Sequence, residues 1–190
     1  MVHKQHYSKA ELIELGINAV GDNCLVSRKA SLFGIERISL GDNVRIDDFC
    51  ILSAGSEGIR LGNYIHIGAY SSLIGDSAII LEDYAGLSAR VTIYSSSDDY
   101  SGEWMTNPTV DEAFTNVTSK PVYLGKHCII GAGAIVLPGV TLKEGVAVGA
   151  QSLVTRSVDE FKIVAGSPAR FVKSRSRALL EKEKAFKGQC

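Results

Sequence analysis

The sequence predicts an all-β fold: a three-sided parallel β-solenoid of about six coils, with a short helix at each end and one long protruding loop. Three observations lead there. An aliphatic residue recurs at every sixth position, extra residues enter only after every third six, and the pattern is interrupted once, for 28 residues from Tyr94 to Pro121.

The aliphatic ladder is regular enough to write in sixes: ISLGDN VRIDDF CILSAG, IRLGNY IHIGAY SSLIGD, and after the interruption VYLGKH CIIGAG AIVLPG VTLKEG VAVGAQ SLVTRS. The third place is aliphatic at all eighteen positions, from Val20, Val26 and Leu32 in the first coil to Leu142, Val148 and Val154 in the last. A helix turns 100° per residue, so successive sixes would fall on different faces; a short strand followed by a turn fits instead. Strand alternation also turns inward the residue two before each aliphatic. Cys24, Cys50 and Cys128 stand at that place, and read as small buried fillers rather than ligands or nucleophiles.

The spacing of the sixes defines the three sides. Two extra residues follow the six around Leu32, three follow Leu52 and two follow Leu73, so insertions always leave by one corner. Three sixes therefore make one coil, and coils stack about 4.8 Å apart, giving a prism roughly 29 Å tall. The long interruption leaves by this same corner.

Solenoids need their ends covered. At the N-terminus "SKAELIELG" supplies Ser8 and Glu11 as a capping box and Gly16 as a stop, predicting a helical cap within residues 1–17. The β-helix proper spans 18–157, with its loop at 94–121. Residues 158–190 are expected to run as an extended segment through "KIVAGSPARFV" and then as a helix through "SRSRALLEKEKAFK".

Bulk properties narrow the function classes. Twenty Lys and Arg against 21 Asp and Glu give a net charge of −1, which does not favour nucleic acid or an acidic membrane as partner. The charged start "MVHKQHYSKAELIEL" lacks the apolar region of a secretory signal, and no apolar run reaches the roughly 18–20 residues of a membrane span. Four cysteines without paired spacing read as free thiols, so a cytoplasmic location is expected.

A ladder ending in "GAGAIVLPGVTLKEGVAVGAQSLVTRSV" and then "VAGSPARFVK" resembles the hexapeptide-repeat acyltransferases, over about Val20 to Lys173. The likeness is closest to the galactoside and maltose acetyltransferase branch and to sugar-nucleotide N-acyltransferases. It implies a left-handed coil, a homotrimer with active sites between adjacent prisms, and acetyl-CoA or another acyl-CoA as co-substrate, with no bound cofactor and no metal. Ala132 and Ala150 match positions where family members hold the pantetheine arm through main chain, which small corner residues permit. Arg156, Arg170 and Lys173 match basic positions around the CoA phosphates. For each of these, a small corner residue or an ordinary surface charge is the plainer explanation; the spacing of all three cations against "AGSPAR" favours the functional one.

The resemblance also places the acceptor site at the long loop. Loops above roughly 12–15 residues in a compact domain are usually functional or disordered. Where the acetyltransferases carry a histidine as general base, this chain has Asp98. A hydroxyl needs a base near working pH to attack a thioester, whereas a neutral amine needs only orientation and oxyanion stabilisation, for which a carboxylate is a suitable partner. Asp98, Asp99, Glu103, Asp111 and Glu112 against Lys120 give the loop a local charge of −4, which suits a cationic amine or simply keeps an exposed loop soluble. Trp104, with Tyr94, Tyr100 and Phe114, stacks on a sugar or base, or pins the loop to a neighbouring prism. His66 is outward on its coil and is the second candidate for base or substrate contact; Ser88, outward on "AGLSAR", is a candidate hydrogen-bond donor to the acceptor. His127 reads as a corner residue without a role.

The expected activity is therefore acyl-CoA-dependent N-acylation of a nucleotide-linked amino sugar for surface polysaccharide, with sugar O-acetylation through His66 or Asp98 as the alternative. Two other classes use such a fold. A zinc hydratase needs three converging histidines, and only His66 and His127 lie on coils. A non-catalytic solenoid would need neither the basic set nor the acidic loop.

Overall fold

The computed structural model describes residues 5–188. Three parallel sheets form the sides of a prism, and the chain visits them in a fixed order. Face one carries Leu25–Ser27, Arg45–Ile46, His66–Ile67, Gly86–Leu87, Ile129–Ile130, Ala147–Val148 and Lys162–Gly166. Face two carries Ser31–Phe33, Ile51–Ala54, Ser72–Gly75, Thr92–Tyr94, Ile135–Val136 and Leu153–Val154. Face three carries Ala19–Val20, Ile38–Leu40, Ile59–Leu61, Ile79–Leu81, Val122–Leu124 and Thr141–Leu142. Six full coils are followed by a partial seventh, in which Val158 bridges to Leu142 and Ile163–Val164 pair with Ala147–Val148.

Register follows the sixes without slippage: Ile67 pairs with Ile46 and Leu87, and Leu87 with Ile130. Every ladder aliphatic is buried except Val20 and Leu32 of the first coil, which pack against the core from its edge. Each aliphatic thus lies above its equivalent one coil earlier, and the core is a continuous column of Leu, Ile and Val. Cys50 and Cys128 are buried in it as expected, while Cys24 is only half-buried because its coil is the first. Burial pushes the Cys128 thiol up to about 12.

A coil turns its corners by setting one residue in the left-handed region. Between faces three and one these are Asn23, Asn43, Tyr64, Tyr84 and His127; between faces one and two they are Phe49, Tyr70, Arg90 and Gln151. Asparagine tolerates that conformation readily, aromatic residues less so. The aromatic ones are held by stacking: Tyr64 on Tyr84 and Tyr84 on His127, each pair 5.0 Å between ring centroids. Beside them the side-chain oxygens of Asp42, Asn63 and Asp83 accept from the amides of Asp22, Asp42 and Asn63 at 2.7–2.8 Å, which ties coil to coil.

Both ends are covered. Helix α1, Lys9–Glu14, has the reciprocal Ser8–Glu11 capping box, and Leu12 is its buried residue. At the other end the segment expected to run extended is an antiparallel hairpin, Lys162–Gly166 with Ala169–Ser174, turning at a cis Ser167–Pro168 bond. The following helix is shorter than expected: α2 is Leu179–Lys187, because the hairpin takes Ser174 and Arg175 is drawn onto the coil, its amide donating to the Phe161 carbonyl. Arg175 then anchors the crossing by donating to the carbonyls of His127 and Gly145.

The corner without a role in the sequence reading proves to be where α2 docks. Glu183 bonds His127 at 2.7 Å, Lys126 at 2.9 Å and Lys187 at 2.7 Å, while Phe186 meets Tyr64 and Tyr84 edge-on. Among the described residues no helix is long and apolar enough to cross a membrane.

Candidate active site

The long loop leaves between faces two and three, the corner where Gly34, Gly55 and Gly58 accommodate the smaller insertions. Its base is a short antiparallel ribbon, Ser96–Ser97 with Thr118–Ser119, so the excursion starts and ends side by side. Buried Ser95 fixes the root: its hydroxyl donates to the Ser77 carbonyl at 2.5 Å, and its own carbonyl accepts from the Lys120 amide at 2.9 Å. Further out, Met105 bridges Thr115, and Asp111 caps the 3-10 turn Glu112–Phe114 through the Ala113 amide.

Between this loop and face two lies a cleft of about 730 Å³. Ile74, Tyr94, Ile135, Leu137 and Leu153 form its apolar floor, with Tyr100, Pro108 and Val117 contributed by the loop. Asp98 opens onto it. Its carboxylate makes no hydrogen bond or ion pair among the described residues.

The other loop acids are differently employed. Asp99 accepts from the Ser101 hydroxyl at 2.8 Å and from the Gly102 amide at 3.1 Å, and the first of these holds its carboxyl below the usual range. Asp111 is engaged as the cap. Asp99, Glu103, Trp104 and Phe114 do not line the cleft, whereas Tyr94 and Tyr100 do. The uniform acidic field read from the sequence is therefore one open carboxylate beside others spent on turns or facing solvent.

Face one holds a second group. His66 is half-exposed, and its Nε2 lies 2.8 Å from Asp47, which also accepts from Arg45 Nε at 2.7 Å. Burial works to raise the Asp47 pKa, but the hydrogen bonds from His66 and Arg45 outweigh it and the carboxyl stays below its ordinary value. On the coil above, Ser88 donates its amide to Ile130 and accepts the Ser71 hydroxyl on its carbonyl at 3.1 Å, leaving its own hydroxyl unengaged among the described residues. Gly68 and Gly131 stand beside it on the neighbouring coils, so the backbone is bare around it.

Ala132 and Ala150 are exposed at the corner between faces one and two, on successive coils joined by the Gln151 amide to the Ala132 carbonyl. The approach is so close that a Cβ on Gly131 would lie 2.4 Å from the Ala150 nitrogen. Arg170 and Lys173 sit on the outer strand of the closing hairpin, opposite Ala165 and Ile163, exposed and without ion pairs among the described residues. Arg156 is apart from them, beyond Leu153–Val154 on the face beneath the loop. The structure thus aligns Ser88, Ala132, Ala150 and Arg170 along one corner, and keeps Asp98 and Arg156 at the next.

A prism of hexapeptide coils with a bare-backbone corner and an arched loop over a cleft defines the class of left-handed β-helix transferases. Residues 121–156 match the bacterial transferase hexapeptide model of six repeats. An Escherichia coli dTDP-4-amino-4,6-dideoxy-D-glucose acyltransferase is 49% identical over 182 residues, 96% of this chain and 95% of its own. AntD, an N-acyltransferase from Bacillus cereus solved with dTDP and 3-hydroxybutyryl-CoA, superimposes with a TM-score of 0.94 at 43% identity, over 98% of both chains. A galactoside acetyltransferase solved with coenzyme A shares the fold, at 19% identity and a TM-score of 0.60 over 93% of this chain and 76% of its own. The chain belongs to the hexapeptide-repeat acyltransferases and is a CoA-dependent enzyme of that family.

Proposed function

We propose that the protein transfers an acyl group from acyl-CoA to the amine of a nucleotide-linked amino sugar, of the dTDP-4-amino-4,6-dideoxyglucose kind. The single observation that carries this is the open Asp98 carboxylate in the cleft, at the place where the O-acetyltransferases of the family have histidine. The names of the two similar enzymes support it, one an acyltransferase for a dTDP-linked amino sugar and the other an N-acyltransferase. So does a spacing: AntD was solved with substitutions at an aspartate and at a serine ten residues before it, and Ser88 stands ten residues before Asp98 here.

In this mechanism Asp98 accepts hydrogen bonds from the sugar ammonium and orients it. Once one ammonium proton has passed to solvent water, the nitrogen lone pair attacks the thioester carbonyl, the C–N bond forms and the carbonyl oxygen takes the negative charge. Collapse re-forms the carbonyl, breaks the C–S bond and releases the CoA thiol with the second amine proton. Ser88, its hydroxyl unengaged among the described residues, would donate to acceptor or oxyanion. Ala132 and Ala150 would hold the pantetheine arm, and Arg170 with Lys173 the CoA phosphates.

Asp98 and Ser88 lie at different corners of one prism, so a site that uses both is best completed by a second subunit, and we assign a homotrimer. Acyl-CoA as donor and the three free thiols among the described residues support a cytoplasmic setting, with the acylated sugar passing to surface polysaccharide. Sugar O-acetylation is the second reading, favoured by one observation: His66 held by Asp47 at 2.8 Å in the manner of a positioned base. The deciding experiment is a thiol-release assay with acetyl-CoA and longer acyl-CoAs against dTDP-linked amino sugars, free amino sugars and galactosides. Activity confined to hydroxyl acceptors would end the amine assignment.

A further inference from the structure

The corner between faces one and two carries a column of planar and cationic groups that the mechanism leaves unused. Phe49 and Tyr70 stack with centroids 5.0 Å apart. Lys29 covers the outer face of Phe49 at 5.3 Å, and the Arg90 guanidinium lies over Tyr70 at 5.4 Å. All three ring and guanidinium residues are in the left-handed region, at φ 62° for Phe49, 63° for Tyr70 and 61° for Arg90. That conformation is disfavoured for any residue with a Cβ, which crowds the following carbonyl oxygen. Corner hydrogen bonds hold it in place: Tyr70 donates to the Asp48 carbonyl, Arg90 to Ala69, and Gly133 to Ala89.

Charge is unevenly distributed along this column. Asp48 is taken by Lys29 at 2.8 Å and by the Ser27 hydroxyl, and Asp47 by Arg45 and His66. Arg90 is exposed and has no acidic partner among the described residues. On the next coil the column breaks off at Gly133, where an added Cβ would meet nothing nearer than Gln151 Cγ at 3.5 Å. Arg90 therefore ends the stack with one face on Tyr70 and an open slot above, two residues along the chain from Ser88. A guanidinium stacked on a ring and held by its backbone loses little freedom when its fork meets a phosphate.

We infer that Arg90 binds the diphosphate of the nucleotide-linked acceptor, and that Phe49 and Tyr70 form the platform that aims it. This rests on the acceptor assigned above. Coenzyme A also carries a diphosphate, and the geometry separates the two. From the strand of Gly86–Leu87 to that of Arg170 there are four sheet spacings, about 19 Å, close to the reach of a pantetheine arm. A donor anchored at Arg170 and Lys173 and passing Ala150 and Ala132 brings its thioester, not its phosphates, down to the level of Arg90.

The test compares wild type with Arg90→Ala and Arg90→Lys, titrated calorimetrically with dTDP and separately with coenzyme A, and assayed on a dTDP-linked amino sugar. Solution mass is checked by light scattering. Arg90→Ala should weaken dTDP binding and raise the acceptor KM roughly ten- to a hundredfold, the usual worth of a charged hydrogen bond. Coenzyme A binding should stay within about threefold, and Arg90→Lys should recover part of the loss. Unchanged dTDP binding by Arg90→Ala, an equal loss for coenzyme A, or a lower solution mass would each overturn the assignment. If wild type binds no dTDP, the nucleotide-linked acceptor itself falls, and the inference falls with it.

Discussion

Replacing Asp98 by asparagine removes one charge and leaves the shape of the loop in place. The carboxylate makes no hydrogen bond or ion pair inside the described chain, so its loss costs the fold almost nothing. A surface substitution of this kind changes stability by about 0.5 kcal/mol or less, and the melting temperature should hold within about 2 °C. Activity should behave differently. If the carboxylate only orients the ammonium, the variant forfeits a charged hydrogen bond, about 1.5–3 kcal/mol, or roughly ten- to a hundredfold in kcat/KM. If it also takes the proton during attack, kcat itself should fall by roughly 10²–10⁴. Thiol release, followed at saturating acyl-CoA with the amine acceptor varied, separates the two through kcat and KM. An Asp98→Asn enzyme retaining kcat/KM within about threefold of wild type would refute any handling of the amine by this residue. A melting temperature lowered by much more than a few degrees would show that the carboxylate serves the loop instead.

Other outcomes follow from the coil and its ends. Gly131→Ala places a Cβ 2.4 Å from the Ala150 nitrogen, so two coils must separate at the corner proposed to hold the pantetheine arm; calorimetry should show a loss of about 1–3 kcal/mol together with a raised acyl-CoA KM. Glu183 is held at about 2 by Lys187, Lys126 and His127, below its ordinary value of 4.5. A lowered carboxylate stabilises fully above about pH 4.5 and loses that contribution as pH falls towards 2. Amide protection factors in α2, corrected for the intrinsic rate at each pH, should therefore fall over that window, and in Glu183→Gln they should already be low at neutral pH. Cys128, its thiol raised to about 12 by burial, should remain unlabelled by alkylating reagents at pH 8 in the native protein and react on unfolding, as mapped by mass spectrometry.

Much of the architecture can be read from local pattern alone. The aliphatic sixes, the single insertion corner and the Ser8–Glu11 cap are periodic or short-range features, and each appears where spacing places it. The hairpin at Lys162–Ser174 is hard to read because "KIVAGSPARFV" is strand-like on both sides, and only the short Gly166–Ser167–Pro168 stretch marks the reversal. Similarly, His127 carried no signal because its partners Tyr84 and Glu183 are distant in sequence and meet it only once the coils stack. The loop acids looked equivalent on the page. Asp99 and Asp111 are absorbed by donors two residues further on, Ser101 and Ala113, which leaves Asp98 as the one open to the cleft.

Arg90 illustrates the same division. A lone arginine in "LSARVT" is unremarkable, since its neighbours in the column, Tyr70 and Gly133, lie twenty and forty-three residues away. By itself the sequence determined the solenoid, its corners and the place of the long loop, because a repeated six-residue strand and turn has one way to bury its aliphatics. Which carboxylate stays free, which cation ends unpaired and which corner receives α2 were decided only by stacking coil on coil. That step brings together side chains a coil apart, and no local rule in the sequence records their meeting.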